Sequence, residues 1–101
     1  MKVSDKLLAA KKLIEDPKDW TQNAFARDSQ GTSVGSYDIT AVCYCALGAT
    51  HKSIMGDSYL ADNYLHAAAF PKLASEFNDT HTHSEVLGLF DRAIQLAKVD
   101  E

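Results

Sequence analysis

The sequence predicts a mostly α-helical fold of the α+β class: a compact bundle of four to five helices around a buried central helix, with one small β-hairpin. Three observations support this prediction. The run Ala41–Ala49 carries no charge and is mostly apolar or small, which is typical of a buried helix. Thr82 and Glu85 have the residue types and spacing of a helix N-terminal capping box. Asp28–Gly31 is a turn-forming run, which favours a hairpin.

The length and composition indicate one small soluble domain, residues 1–101. A hydrophobic content of 46% and a charged content of 24% are ordinary for such proteins. The net charge of −4 and the lack of a dense Lys/Arg cluster argue against a nucleic-acid partner. The sequence has neither an 18-residue apolar run nor the apolar segment of a signal peptide. We therefore expect a cytoplasmic protein without a membrane partner.

The N-terminal third is predicted to form a helix over residues 4–15 and then a hairpin region over residues 20–34. Ser4 is a favoured N-cap. Pro17 ends the helix, because the residue before a proline is disfavoured in the helical conformation. The hairpin's strands are predicted at residues 24–27 and 32–34, on either side of the turn.

The central helix is predicted over residues 38–50, with Asp38 as its N-cap. Cys43 and Cys45 lie within it, and we expect two reduced thiols that pack as small hydrophobic side chains. The small residues of Cys45–Ala49 favour close approach of neighbouring elements.

Three further helices are predicted, over residues 57–69, 71–77 and 83–98. Pro71 separates the first two, because proline is tolerated in a helix's first turn but not in its interior. Asn78–Thr80 is a second turn signal, which predicts a loop before the last helix.

Several blocks of the sequence, spread over roughly residues 6–98, resemble a small bacterial and phage family of domains of unknown function. The most specific of them are Cys45–Ala49 and the series Asn78, Asp79, Thr82, Glu85, Val86 and Leu87. Where that family usually has a tryptophan, this chain has Phe77. The resemblance implies a cytoplasmic bacterial or phage accessory protein and brings no activity with it.

Two arrangements of reactive residues are candidate sites of chemistry. Cys43, Cys45, His81 and His83 are zinc-ligand types, but residues two apart on a helix do not face one another. Cys45 with His51 or His66 and with Asp79 would make a nucleophile, base and orienting group, yet an apolar run raises a thiol pKa. We therefore predict no metal site, no cofactor and no catalytic residue.

A ligand-binding site is predicted from Trp20, Arg27, Asn78 and Asp79. An aromatic ring, a guanidinium group and a helix N-terminus would together suit a small anionic or nucleotide-like ligand. The alternative is structural: Trp20 covers one end of the core, and Asn78 and Asp79 make a turn.

The function that we expect is that of a non-catalytic binding protein of phage or bacterial origin, acting in counter-defence or host modulation. It would sequester a small ligand or block a host protein. The alternatives are a self-assembling structural protein, which would be a homo-oligomer, and a small hydrolase that uses Cys45 and a histidine.

Overall fold

Five α-helices and a three-stranded antiparallel sheet make up the structure, a computed structural model that describes residues 2–101. This confirms the prediction of a mostly helical α+β fold. The elements, in chain order, are α1 (Val3–Leu13), β1 (Ala26–Arg27), β2 (Ser33–Val34), β3 (Cys43–Tyr44), α2 (Ala46–Ile54), α3 (Tyr59–Ala69), α4 (Ala74–Thr80) and α5 (His83–Val99). A short 3-10 turn, Pro17–Asp19, follows α1.

The core forms where α5 packs against α1 and α3. α5 contributes five buried side chains to it, at the three- and four-residue spacing of one helix face: Val86, Leu89, Phe90, Ala93 and Ala97. Leu7 of α1 and Leu65 of α3 are also fully buried. No helix in the described part of the chain is long and apolar enough to cross a membrane.

The prediction of one helix over residues 38–50 is wrong for its first eight residues. The Asp38 carboxylate accepts hydrogen bonds from the backbone N–H and the hydroxyl of Thr40, at 2.8 Å and 2.6 Å, and so closes a turn instead of capping a helix. Cys43–Tyr44 then forms β3, an edge strand. An apolar run without a clear period fits a buried strand as well as a helix, and here it contains part of each.

Helix α2 begins where Cys45 acts as its N-cap, with the thiol sulfur accepting the N–H of Gly48 at 3.3 Å. Gly48 lies directly against the backbone of Phe25, so that a Cβ atom at this position would overlap with the Phe25 carbonyl oxygen. The small residues of Cys45–Ala49 therefore do allow close approach, in this case between α2 and the residue that leads into β1.

The predicted hairpin is present as β1 and β2, and β3 adds to the other edge of β1, giving the strand order β2-β1-β3. Ala26 pairs with Val34 on one side and with Tyr44 on the other. The Asp28 carboxylate fixes the turn by accepting the N–H groups of Gln30 and Thr32, both at 2.9 Å. The third strand was missed because it lies inside the apolar run assigned to the central helix.

Ser4 does not cap α1 as predicted, because the helix begins one residue earlier and Lys2 occupies the N-cap position. The buried Ser4 instead donates its N–H and its hydroxyl to the Glu101 carboxylate, at 3.0 Å and 2.9 Å. These two bonds lower the pKa of Glu101. The acceptor for the first turn of α1 thus comes from the other end of the chain.

The two helices at the C-terminal end differ in how well local signals predicted them. The capping box of α5 is confirmed, since Thr82 and Glu85 exchange hydrogen bonds between side chain and backbone N–H at 3.2 Å and 2.9 Å. The Glu85 carboxylate accepts both the backbone N–H and the hydroxyl of Thr82, and these two bonds lower its pKa. The predicted helix over residues 71–77 instead runs from Ala74 to Thr80, so the expected loop at residues 78–80 is the last turn of α4.

Candidate functional site

Asn78 is the centre of a buried hydrogen-bond network and is itself 0% exposed. Its Oδ1 atom accepts the indole N–H of Trp20 at 2.8 Å and the backbone N–H of Ala46 at 3.0 Å. Its Nδ2 atom donates to the Thr21 carbonyl oxygen at 3.1 Å and to Asp79 Oδ1 at 3.0 Å. A carboxamide offers two acceptor sites and two donors, so the side chain of Asn78 is fully used by the protein itself.

The segment 20–23 is attached to α4 by further bonds of the same kind. The Gln22 amide nitrogen donates to the carbonyl oxygens of Asn78 and His81 at 3.0 Å and 2.9 Å. The Asn23 N–H donates to Asp79 Oδ1 at 2.8 Å. We refer to the segment 20–23 with Asn78 and Asp79 as the Asn78 network. It fixes a chain segment that has no regular secondary structure of its own.

Arg27 adjoins the Asn78 network without contacting Asn78 or Asp79. Its guanidinium group donates to the Thr21 hydroxyl, the Gln22 carbonyl and the Gly31 carbonyl, each at 3.0 Å. The structure therefore brings three of the four predicted site residues into direct contact and links the fourth to them through residues 21 and 22. Three of the five N–H donors of Arg27 are occupied within its own part of the chain.

A cavity of about 320 Å³ lies beside the Asn78 network, and we call it the Asp79 cavity. Its walls come from the segment that leads into β1, from β2, from the residue that caps α2 and from one side of α4. The lining residues are Asn23, Ala24, Phe25, Ser33, Val34, Cys45, Ser75 and Asp79. The volume lies at the lower end of the range of roughly 300–1,000 Å³ that is usual for small-molecule sites.

Asp79 belongs both to the network and to the cavity. Its Oδ1 atom accepts the two hydrogen bonds from Asn23 and Asn78. Its Oδ2 atom accepts no hydrogen bond from residues 2–101. Asn23 reaches Asp79 with a backbone φ of 62°, a conformation that asparagine tolerates better than most residues. The carboxylate is therefore held in place through one oxygen while the other keeps its acceptor capacity.

Cys45 lines the same cavity and is only 5% exposed. Burial raises the pKa of its thiol, which disfavours the nucleophilic thiolate. The two candidate bases contact other residues instead. His66 Nδ1 accepts the Ala74 N–H at 3.0 Å, and the His51 ring lies 3.4 Å from the Ser36 hydroxyl and from Asp62 Oδ2. The structure thus does not assemble the nucleophile and base that a Cys45 hydrolase would need.

The four residues weighed as zinc ligands are dispersed. Cys43 is in β3, whereas His83 Nε2 contacts the Ile14 carbonyl oxygen at 2.7 Å. The ring of His81 stacks on Phe77, with 3.7 Å between the ring centroids. Within the described chain, no three His, Cys, Asp or Glu side chains are close enough together to hold a metal ion.

A second polar cluster, the His51 cluster, was missed at the level of sequence. His51 Nδ1 lies 3.4 Å from the Ser36 hydroxyl, and His51 Nε2 lies 3.4 Å from Asp62 Oδ2. Asp62 also accepts the hydroxyls of Thr50 and Ser58, at 2.6 Å and 2.9 Å. No spacing signal marks these residues, because the turns between α2, α3 and the 35–42 segment bring them together.

The His51 cluster has the order hydroxyl, imidazole and carboxylate that is found in hydrolases. Its geometry does not favour that chemistry. Both contacts of the imidazole are longer than ordinary hydrogen bonds, and Ser36 is only 6% exposed and does not line the Asp79 cavity. The cluster instead joins the 35–42 segment to α2 and α3.

Comparison with known protein families gives a match over nearly the whole chain. A family model described as "Family of unknown function (DUF6197)" matches residues 1–96. This confirms the resemblance of the sequence to a small domain family of unknown function. None of the curated proteins and none of the solved structures that were compared matches the chain.

Proposed function

We propose that this chain, which belongs to the family of unknown function DUF6197, is a non-catalytic binding protein that holds a small ligand in the Asp79 cavity. The observation that carries the proposal is the state of Asp79. One carboxylate oxygen is fixed by two hydrogen bonds, while the other remains available beside a cavity of about 320 Å³. A polar group that is already held in position loses little entropy on binding, which favours affinity.

Binding is preferred over catalysis because of what surrounds the cavity's one thiol. Burial raises the pKa of Cys45, and its sulfur already accepts the Gly48 N–H. Nucleophilic catalysis needs a base in hydrogen-bond reach of the nucleophile. The contacts of His51 and His66 with other residues therefore support a role in which the ligand leaves unchanged.

The setting that we propose is the cytoplasm of a bacterium or of a phage-infected host, where the protein would deplete a ligand in counter-defence or host modulation. The resemblance of the sequence to bacterial and phage domains supports this, as does the small size of the chain. Both cysteines are free thiols, as is usual in a reducing compartment. A depleting protein acts stoichiometrically, so it needs affinity and abundance but no turnover.

Occlusion of the Asp79 cavity is the direct test. Ser75→Leu places a larger apolar side chain in the cavity wall, whereas Ser84→Leu makes the same change at an exposed position of α5. Native mass spectrometry of the protein from bacterial cells is expected to retain a small molecule on the wild type and on Ser84→Leu, but not on Ser75→Leu. A wild type that carries no small molecule, and whose melting temperature no member of a metabolite library raises, would contradict the proposal.

A second candidate function, the blocking of a host protein, is favoured by exposed apolar side chains in the 35–42 segment. Tyr37, Ile39 and Val42 are 54%, 95% and 50% exposed. Exposed apolar patches often mark protein-binding surfaces. Ile39→Asp should then abolish binding of a purified host protein first identified by pull-down, while Met55→Asp, at another exposed apolar position, should not. Loss of a concentration-dependent oligomer in Ile39→Asp would instead indicate self-assembly.

A further inference from the structure

We infer that the ligand of the Asp79 cavity is a small cation, with a primary ammonium or a similar N–H-rich charged group bound at Asp79 Oδ2 and a short apolar body. This inference rests on the proposed function, since it names the ligand class of the same cavity. It replaces the anionic ligand that the sequence suggested.

The charges in the cavity wall give the first argument. Among its eight lining residues, Asp79 is the one with a carboxylate, and none is Lys, Arg or His. The thiol of Cys45 remains protonated because burial raises its pKa. An anion in this cavity would meet a carboxylate without any compensating cation, which is strongly unfavourable in a partly dry site.

The hydrogen bonds of Asp79 give the second argument. Its Oδ1 atom already accepts the Asn23 N–H at 2.8 Å and an Asn78 amide N–H at 3.0 Å. The half-buried carboxylate therefore cannot turn away, and Oδ2 is left for an external donor. Charge-assisted bonds of the N⁺–H···O⁻ kind are stronger than bonds between neutral groups, so an ammonium group is the best match.

The remaining lining residues suit the other parts of such a ligand. The hydroxyls of Ser33 and Ser75 make no hydrogen bond within residues 2–101, so they are available as acceptors for the remaining N–H donors of an ammonium group. Ala24 and Val34 offer apolar surface to a short aliphatic body. One charged group against a mostly apolar wall is the usual composition of a small-molecule site.

Arg27 gives no support for an anion in this position. Its guanidinium group does not line the cavity, and three of its donors bond to Thr21, Gln22 and Gly31. The net charge of the chain is −4, which attracts cations to it over longer distances.

The test uses three probes of matched shape: n-butylamine hydrochloride, sodium butanoate and 1-butanol. Amide chemical shifts of ¹⁵N-labelled protein are followed by NMR during titration at pH 7. We expect n-butylammonium to move the signals of Asn23 and Ser75 and to bind at least about tenfold more tightly than the other two probes.

Asp79→Asn is the decisive variant, because its side-chain oxygen can still accept both bonds that Oδ1 accepts now. Its affinity for n-butylammonium should fall by about tenfold or more. Asp5→Asn removes the same charge from an exposed position of α1 and should bind as the wild type does. An unfolded Asp79→Asn protein would show collapsed amide dispersion. In that case the relative affinities of the three probes for the wild type decide whether the ligand is a cation.

Failure of this inference and failure of the proposed function look different. If butanoate or 1-butanol binds as tightly as the amine, and Ser75→Leu blocks that binding, the inferred cationic ligand is wrong while the cavity remains a binding site. If no probe moves the cavity signals up to its solubility, the result contradicts the cation, and it contradicts the proposed function as well if native mass spectrometry finds no small molecule on the wild type and no member of the metabolite library raises its melting temperature.

Discussion

The Asn78 network and the Asp79 cavity share Asn23 and Asp79, yet they differ in how many of their polar atoms already bond within the protein. Asn78 is 0% exposed and makes four hydrogen bonds of 2.8–3.1 Å. Asp79, the next residue, uses one oxygen and leaves the other unbonded within the described chain. A polar residue whose hydrogen bonds are all made within its own chain stabilises the fold, whereas one with an unused acceptor beside a cavity can bind a ligand.

The His51 cluster provides an intermediate case. Its imidazole contacts are 3.4 Å long, and the ring lies near those of Phe25 and Tyr37, with centroid distances of 5.5 Å and 6.4 Å. Its short hydrogen bonds are those that Asp62 accepts from Thr50 and Ser58, at 2.6 Å and 2.9 Å, and they do not involve the imidazole. We therefore assign it to the packing of the 35–42 segment.

Loss of the Asn78 side chain should have the largest effect on stability. Asn78→Ala leaves the Trp20 indole N–H, the Ala46 N–H and the Thr21 carbonyl without their partner. Since an unsatisfied buried polar group costs about 1–3 kcal/mol, we expect a loss of roughly 3–5 kcal/mol in the free energy of unfolding by urea denaturation. Asn63→Ala, at an exposed position of α3, should change it by less than about 0.5 kcal/mol. Equal effects of the two substitutions would refute the structural role of the network.

Gly48→Ala should come next, with a loss of about 1–3 kcal/mol, because its methyl group would overlap with the Phe25 carbonyl oxygen. Gly88→Ala is the matched control in α5. There the nearest atom to an added Cβ is Arg92 Nη1 at 3.9 Å, and alanine favours a helix interior over glycine by about 1 kcal/mol. The two substitutions should therefore shift the melting temperature in opposite directions. A neutral Gly48→Ala would mean that α2 and the segment before β1 are not in close contact.

Asp79→Asn should change the stability much less, by under about 1 kcal/mol, since the amide oxygen can accept the same two hydrogen bonds. Urea denaturation of Asp79→Asn and Asn78→Ala in parallel compares the free energies of unfolding at two neighbouring positions. If Asp79→Asn destabilised the fold as strongly as Asn78→Ala, the distinction between fold and binding residues would be lost.

The smallest effect should come from Glu101, far from both regions. Hydrogen bonds from Ser4 hold its pKa below the unfolded value, so its stabilising contribution is present at neutral pH and is lost as pH falls through the folded pKa. Glu101→Gln should thus have a lower melting temperature than the wild type at pH 7, and this difference should shrink as the pH falls below the ordinary glutamate value of 4.5 and through the lowered folded pKa. Glu15→Gln, also exposed, serves as the control. A difference in melting temperature that persists unchanged at pH 3 would show that the carboxylate charge of Glu101 does not cause it.

Local signals in the sequence predicted local structure well. The turn at Asp28–Gly31 and the capping box of Thr82 and Glu85 depend on residues within a few positions of one another, and both are present. Features set by distant partners could not be predicted in this way. Ser4 bonds to Glu101, 97 residues away. The strand Cys43–Tyr44 exists because it pairs with β1.

In the candidate site, too, residue types could be predicted from the sequence, whereas features set by distant partners could not. Trp20, Asn78 and Asp79 were grouped from their residue types, and the structure brings them together. Their separate roles depend on which atoms already have partners, and neither composition nor spacing contains that information. The cavity itself joins residues from β2, α4 and the cap of α2, so no stretch of sequence marks it.

The affinity of Asp79→Asn for n-butylammonium, measured by NMR titration, decides whether the Asp79 carboxylate binds a cation in the cavity. We expect the affinity to fall by about tenfold or more relative to the wild type, with amide dispersion and the urea midpoint nearly unchanged. An unchanged affinity in a folded Asp79→Asn protein would contradict it.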